Sequence, residues 1–85
     1  MPHPLWYVYV IYSVTTGRLH VGITNDPRKR LKSHNAGKDE ATKPSRPWVL
    51  SYVKGFESKG DAMKAEVLIR KMKRKDKLLL TGLAA

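Results

Sequence analysis

Residues 6–14, Trp-Tyr-Val-Tyr-Val-Ile-Tyr-Ser-Val, are dense in β-branched and aromatic side chains. That composition predicts a strand buried on at least one face. Thr15-Thr16-Gly17-Arg18 supplies a turn, with Gly17 available for positive φ. Leu19 to Thr24 reads as a second, shorter strand, so residues 6–24 predict an antiparallel hairpin. The hairpin constrains what the remaining chain must do. With 85 residues and no cysteine, the chain has one modest core of two layers at most, and no disulfide to hold it.

The segments that follow are suited to covering a hairpin. Asn25-Asp26-Pro27 signals a helix start, with Asp26 as cap and Pro27 at the first helical position. That helix should run to about Asn35-Ala36, where Gly37 can stop it. Residues 37–47 are polar, carry two prolines and read as a mobile or substrate-facing loop. Trp48 to Phe56 returns to strand composition. Ser58 with Asp61 resembles a capping box opening the longest helix, whose apolar stripe is Ala62, Ala65, Ile69 and Met72, with Leu68 alongside. Lys73 to Leu80 either continues that helix or forms a short last one. The expected fold is α+β: a three-stranded antiparallel sheet flanked by helices, in the order β-β-α-β-α with a possible short terminal helix, and residues 1–85 form one domain.

Lys and Arg total 17 against 7 acidic residues, a formal charge of +10. Such a surface attracts polyanions and favours nucleic acid over a lipid surface, since no lipid-anchor motif accompanies it. The run from Leu5 to Val14 is too short to span a bilayer and lacks the flanks of a signal peptide. A soluble, cytoplasmic protein with no membrane partner is expected.

Six side chains carry candidate chemistry. Arg30 and His34 lie four apart on the first predicted helix and share a face. A guanidinium fork suits phosphate, and an imidazole can move a proton; taken alone, the pair reads more readily as one exposed basic face of Arg28, Lys29, Arg30 and Lys32 with His34 incidental. Tyr7 and Tyr9 fall on one face of the first strand, with Trp6, Val8, Val10 and Tyr12 on the other. His20 stands near Gly22, a strand glycine of the kind that marks a close approach. Pairing Val14 with Leu19 puts Tyr9 and His20 on one face, whereas a bulge at Gly17 would separate them. Glu66 lies at the margin of the apolar stripe, where a carboxylate needs a cation or an ion pair. A lone carboxylate with waters suits one Mg²⁺ or Mn²⁺ and not a two-metal site. Asp39, Glu40 and Glu57 fall in the loop or at element ends, where solvated roles are expected.

In order and spacing these residues resemble the GIY-YIG nuclease superfamily, in its small stand-alone branch. The resemblance runs from about Tyr7 to Leu80. It is carried by Tyr-Val-Tyr at 7–9, by Val21-Gly22 through Gly37-Lys38, by Arg46-Pro47-Trp48, by Phe56-Glu57-Ser58 and by the helical Glu66. It implies metal-dependent hydrolysis of DNA, with Tyr9, His20, Arg30, His34 and Glu66 as catalytic residues and Glu66 as the ligand of one Mg²⁺ or Mn²⁺. The family's second signature tyrosine, often assigned as the base, is His20 here; its late polar residue has no clear match in Met72-Lys73-Arg74. Tyr7, Arg28, Lys32, Lys38, Lys43 and Arg46 are the expected contacts to single-stranded or structured DNA. No small-molecule substrate is expected. The alternative is a nucleic-acid-binding protein of the same fold that has lost turnover.

Overall fold

The hairpin forms, and its first strand becomes the centre of the sheet. The computed structural model describes residues 5–82. In chain order these form β1 (Trp6–Ser13), β2 (Leu19–Thr24), α1 (Pro27–Asn35), a 3-10 turn (Lys43–Ser45), β3 (Trp48–Phe56), α2 (Lys59–Lys71) and α3 (Arg74–Thr81). The sheet order is β2-β1-β3 and both pairings are antiparallel. The terminal segment is therefore a separate helix; extended backbone at Met72 and Lys73 breaks it from α2.

Local chemistry sets the boundaries. The Asp26 side chain accepts from the Lys29 amide at 3.1 Å, capping α1, and Gly37 adopts φ 77° just beyond its end. Ser58 Oγ accepts from the Asp61 amide at 3.1 Å and caps α2.

The hairpin register differs from a Val14–Leu19 pairing by two residues. Tyr12 pairs with Leu19, Ile11 with His20 and Tyr9 with Gly22. The Ser13 amide donates to Arg18 O at 2.9 Å, so residues 14–17 are the turn and Gly17 takes φ 74°. A two-residue shift preserves side-chain parity, so Tyr9 and His20 still share a face.

The two sides of the sheet are packed differently. On one, Val8, Val10 and Val21 bury against Ala62 and Ile69 of α2, with Trp6, Ala65 and Met72 alongside. On the other, Tyr9, Ile11 and Trp48 form a smaller cluster with Leu31 of α1. Leu68, expected alongside the stripe, is 67% exposed, because a sheet only three strands wide covers a narrow strip of α2.

The 37–47 segment is not the free loop its composition suggests. Ser13 Oγ donates to Ser45 O at 2.6 Å, Trp48 Nε1 donates to Thr42 O at 2.9 Å, and Thr42 and Ser45 are buried. Asn35 clamps the return to β3: its Oδ1 accepts from the Trp48 amide at 2.7 Å and its Nδ2 donates to Trp48 O at 3.0 Å. Among the described residues no helix is long and apolar enough to cross a membrane.

Candidate active site

α1 presents Arg30 and His34 to the Tyr9 face of the sheet. His34 is completely buried. Its Nε2 lies 2.9 Å from Tyr9 Oη and its Nδ1 lies 2.7 Å from Thr42 Oγ1. Arg30 Nε donates to Tyr9 Oη at 3.3 Å, and Arg30 Nη2 reaches Asp39 Oδ2 at 3.1 Å. Thr42 Oγ1 donates to Asp39 O at 3.4 Å. The hydrogen bonds thus form a closed ring through Asp39, Arg30, Tyr9, His34 and Thr42.

A hydroxyl has one proton, and this sets the direction of the ring. With Thr42 donating to the Asp39 carbonyl, His34 Nδ1 carries the ring hydrogen and donates to Thr42. His34 Nε2 is then an acceptor for the Tyr9 phenol. Burial, assisted by the Arg30 charge, lowers the His34 pKa to about 4, so the imidazole is neutral at neutral pH. Burial likewise raises the Tyr9 pKa, while the hydrogen bond from Arg30 opposes that shift.

Gly22 is what allows Tyr9 to take this position. A Cβ placed on Gly22 would lie 2.6 Å from Tyr9 Cζ. The phenol ring leans from β1 over the bare backbone of β2, and any side chain at Gly22 would displace it.

His20 joins the cluster through ring contacts. Its ring centroid is 5.1 Å from that of His34 with the planes at 64°, and 6.3 Å from those of Tyr9 and Trp48. Burial lowers its pKa below the ordinary imidazole value of 6.5. The ring is therefore neutral at pH 7 and only partly covered, unlike that of His34.

Glu66 approaches from α2. Its side chain is 17% exposed, and Oε1 faces Arg70 Nη2 at 3.2 Å. Arg70 Nη2 also donates to Val21 O at 3.4 Å, which ties the pair to β2 between His20 and Gly22. The charge of Glu66 reaches the Tyr9 face of the sheet, where it contributes to raising the Tyr9 pKa. Among the described residues no three His, Cys, Asp or Glu side chains cluster as metal ligands. Glu66 is the carboxylate that α2 brings toward this face, and a hard cation keeping most of its water would have to share it with Arg70.

The residues expected to contact nucleic acid are dispersed. Arg28 and Lys32 are exposed on α1, each two positions (about 200° of helix) from Arg30 and so turned away from the Arg30–His34 face. Lys38 is exposed just past α1. Lys43 and Arg46 line an open cleft of about 630 Å³ with Asn35, Glu40, Pro44 and Pro47. Tyr7 is half-buried on the Tyr9 face.

Sequence reasoning missed two members of the ring. Asp39 reads from sequence as a solvated loop residue, yet it holds Arg30 and its Oδ1 accepts from the Ala41 amide at 3.0 Å, the leading cause of its lowered pKa. Thr42 gave no signal as one polar residue in a polar loop. The available clue was Trp48, whose buried indole N–H needs an acceptor and finds it at Thr42 O.

Comparison with known proteins identifies the family of the chain. The profile of the GIY-YIG catalytic domain matches residues 5–78. A UPF0213 protein of Bacillus licheniformis is 43% identical over 72 residues, covering 84% of this chain and 73% of that protein. A UPF0213 protein of Vibrio parahaemolyticus is 38% identical over 81 residues, covering 94% of this chain and 76% of its own. The solution NMR structure of a UPF0213 protein from Bacillus halodurans superposes with a TM-score of 0.58 at 31% identity, covering 93% of this chain and 84% of that one. The chain is a member of the GIY-YIG catalytic-domain family of nucleases.

Proposed function

We propose that this protein is a divalent-metal-dependent endonuclease that hydrolyses DNA phosphodiester bonds and prefers single-stranded or branched substrates. The observation that carries the reading is the hydrogen-bonded line from Arg30 through Tyr9 to His34, with the free edge of His20 beside it. It supports the reading because a guanidinium from α1 and two neutral imidazoles, from α1 and β2, meet around Tyr9 on one face of the sheet.

Each group has a task. Arg30 is held by Tyr9 and Asp39 with its fork at the surface, where it neutralises charge accumulating on the non-bridging phosphate oxygens. Tyr9 Oη accepts from Arg30 and donates to His34, which fixes its lone pair toward the site and lets it orient the attacking water. His20, neutral and partly exposed, takes the proton from that water. His34 keeps Tyr9 in place and acts as its proton acceptor. Glu66 would hold one Mg²⁺ or Mn²⁺, which supplies Lewis-acid stabilisation of the leaving oxygen.

Substrate phosphate must share Arg30 with Asp39, so the Asp39 contact sets the cost of entry. The +10 charge supports long-range capture of DNA, with affinity that falls steeply as salt rises. The test is cleavage of end-labelled single-stranded, flapped and duplex DNA with Mg²⁺, Mn²⁺ or EDTA. Metal-dependent cutting, fastest on non-duplex substrates, is expected; binding without cutting under every condition would favour the turnover-deficient alternative.

A further inference from the structure

Two tyrosines on the same face of β1 lean in opposite directions, each across a glycine. Tyr9 crosses to β2 over its partner Gly22, and is absorbed into the hydrogen-bonded ring. Tyr7 crosses to β3 over its direct partner Gly55, which it covers together with Leu5: a Cβ on Gly55 would lie 3.1 Å from Tyr7 Cε2, 3.4 Å from Tyr7 Cδ2 and 3.1 Å from Leu5 Cδ1. Its ring therefore lies over the strand instead of standing away from the sheet. Unlike Tyr9, it joins no aromatic or side-chain hydrogen-bonded pair among the described residues, and it is only half-buried.

The surroundings of Tyr7 match one ligand chemistry. On the same face of β3, Val53 and Leu50 are 45% and 37% exposed opposite Tyr9 and Ile11, extending an apolar floor along the edge strand. On the β2 side, the partner of Tyr7 is Thr24, which lines a cleft of about 200 Å³ together with Asn25, Asp26, Lys29, Arg30 and Ser33. An aromatic and aliphatic floor thus adjoins a cleft that ends in the Arg30 guanidinium. Tyr7 and Tyr9 are two residues apart, about 7 Å along a strand, a separation an unstacked nucleotide can bridge.

We propose that Tyr7, flattened on Gly55 and continued by Val53, is a stacking platform for one unpaired nucleobase next to the scissile phosphate. This deepens the nuclease reading and rests on Arg30 as its phosphate site. Base–aromatic stacking is tolerant of sequence because every base has a π-face. Bases inside a duplex are already stacked on one another and cannot lie on the ring. The platform therefore selects single strands and flaps by structure, with no base-edge readout.

The test places 2-aminopurine at each position along a single-stranded oligonucleotide and reads its fluorescence with the protein in EDTA, so that no turnover is needed. Wild type is expected to quench strongly at one position, and Tyr7→Phe to retain that quench. Tyr7→Leu should lose it and bind about ten-fold more weakly. An abasic nucleotide at the quenched position should abolish the affinity difference between wild type and Tyr7→Leu, which a variant that is merely less stable would not do. No localised quench in wild type, or an abasic penalty equal in both proteins, overturns the platform. Quenching without metal-dependent cleavage would sink the nuclease reading and keep the platform; cleavage with Tyr7-independent quenching would do the reverse.

Discussion

On one side of β1, Val8 and Val10 meet Val21, Ala62 and Ile69, and no side chain in that buried cluster is polar. One residue along the same strand, Tyr9 turns the other way and meets His34, Arg30 and, through them, Thr42 and Asp39. The α2 side is held by apolar burial, which is forgiving of small changes in shape. The α1 side is held by a polar ring in which every buried atom has a partner, and where losing one member strands another. Activity should therefore respond to the α1 side alone, and stability to both: mildly to small apolar changes on the α2 side, and sharply wherever a buried member of the α1 ring is lost or protonated.

The largest expected difference is in cleavage. Arg30→Ala should reduce it about 100- to 1,000-fold, the usual loss when a preorganised charge-stabilising donor is removed. Its melting temperature should move little, because the pair with Asp39 is partly exposed and such pairs contribute about 1 kcal/mol or less. Arg30→Lys should rescue poorly, since a point charge cannot serve Tyr9, Asp39 and a phosphate together. Single-turnover cleavage alongside thermal melting checks both halves.

Next in size is an acid sensitivity located in the polar face. The folded-state pKa of His34 is about 4 against 6.5 for the free side chain. Between those values the unfolded chain binds a proton that the folded one refuses, so stability falls as pH drops from 6.5 towards 4. The loss at the acid end is on the order of 3 kcal/mol, a large share of the stability of so small a domain. Urea melts at several pH values should display this slope, and His34→Gln should flatten it.

A smaller effect belongs to the other face. Ile69→Val should cost about 1 kcal/mol and a few degrees of melting temperature while leaving the cleavage rate unchanged. A reduced rate at equal folded fraction would mean that the two faces are coupled. The smallest expected effect is on the pH profile: with His20 as base, the acid limb should lie below the ordinary imidazole value, because burial lowers its pKa. His20→Tyr should move or flatten that limb, and unchanged cleavage in His20→Ala would remove His20 from the chemistry.

The two faces also differ in how far they could be read from sequence. The α2 side follows from periodicity alone: alternate residues of β1, a helical stripe in α2 and a Ser58 cap all announce themselves within a few positions. On the α1 side, the members that lie on regular elements are legible too: Tyr9 on β1, His20 on β2, and Arg30 and His34 on α1. Asp39 and Thr42 stayed hidden because nothing periodic governs a loop. Their roles come from contacts that reach across the fold, from Trp48 to Thr42 and from Ser13 to Ser45. The hairpin register was likewise a matter of turn geometry, and only its parity was needed to place Tyr9 with His20.

Glu66 tests the division most directly, because it stands on the α2 element while its charge bears on the α1 face. One preparation of Glu66→Gln should be measured for melting temperature, DNA affinity in EDTA and Mn²⁺-dependent cleavage. With Glu66 as the metal ligand, cleavage falls by orders of magnitude, affinity is unchanged or slightly higher, and the melting temperature shifts by a few degrees at most. Cleavage at the wild-type rate with a lowered melting temperature would instead make Glu66 half of a structural ion pair with Arg70, and would contradict the account.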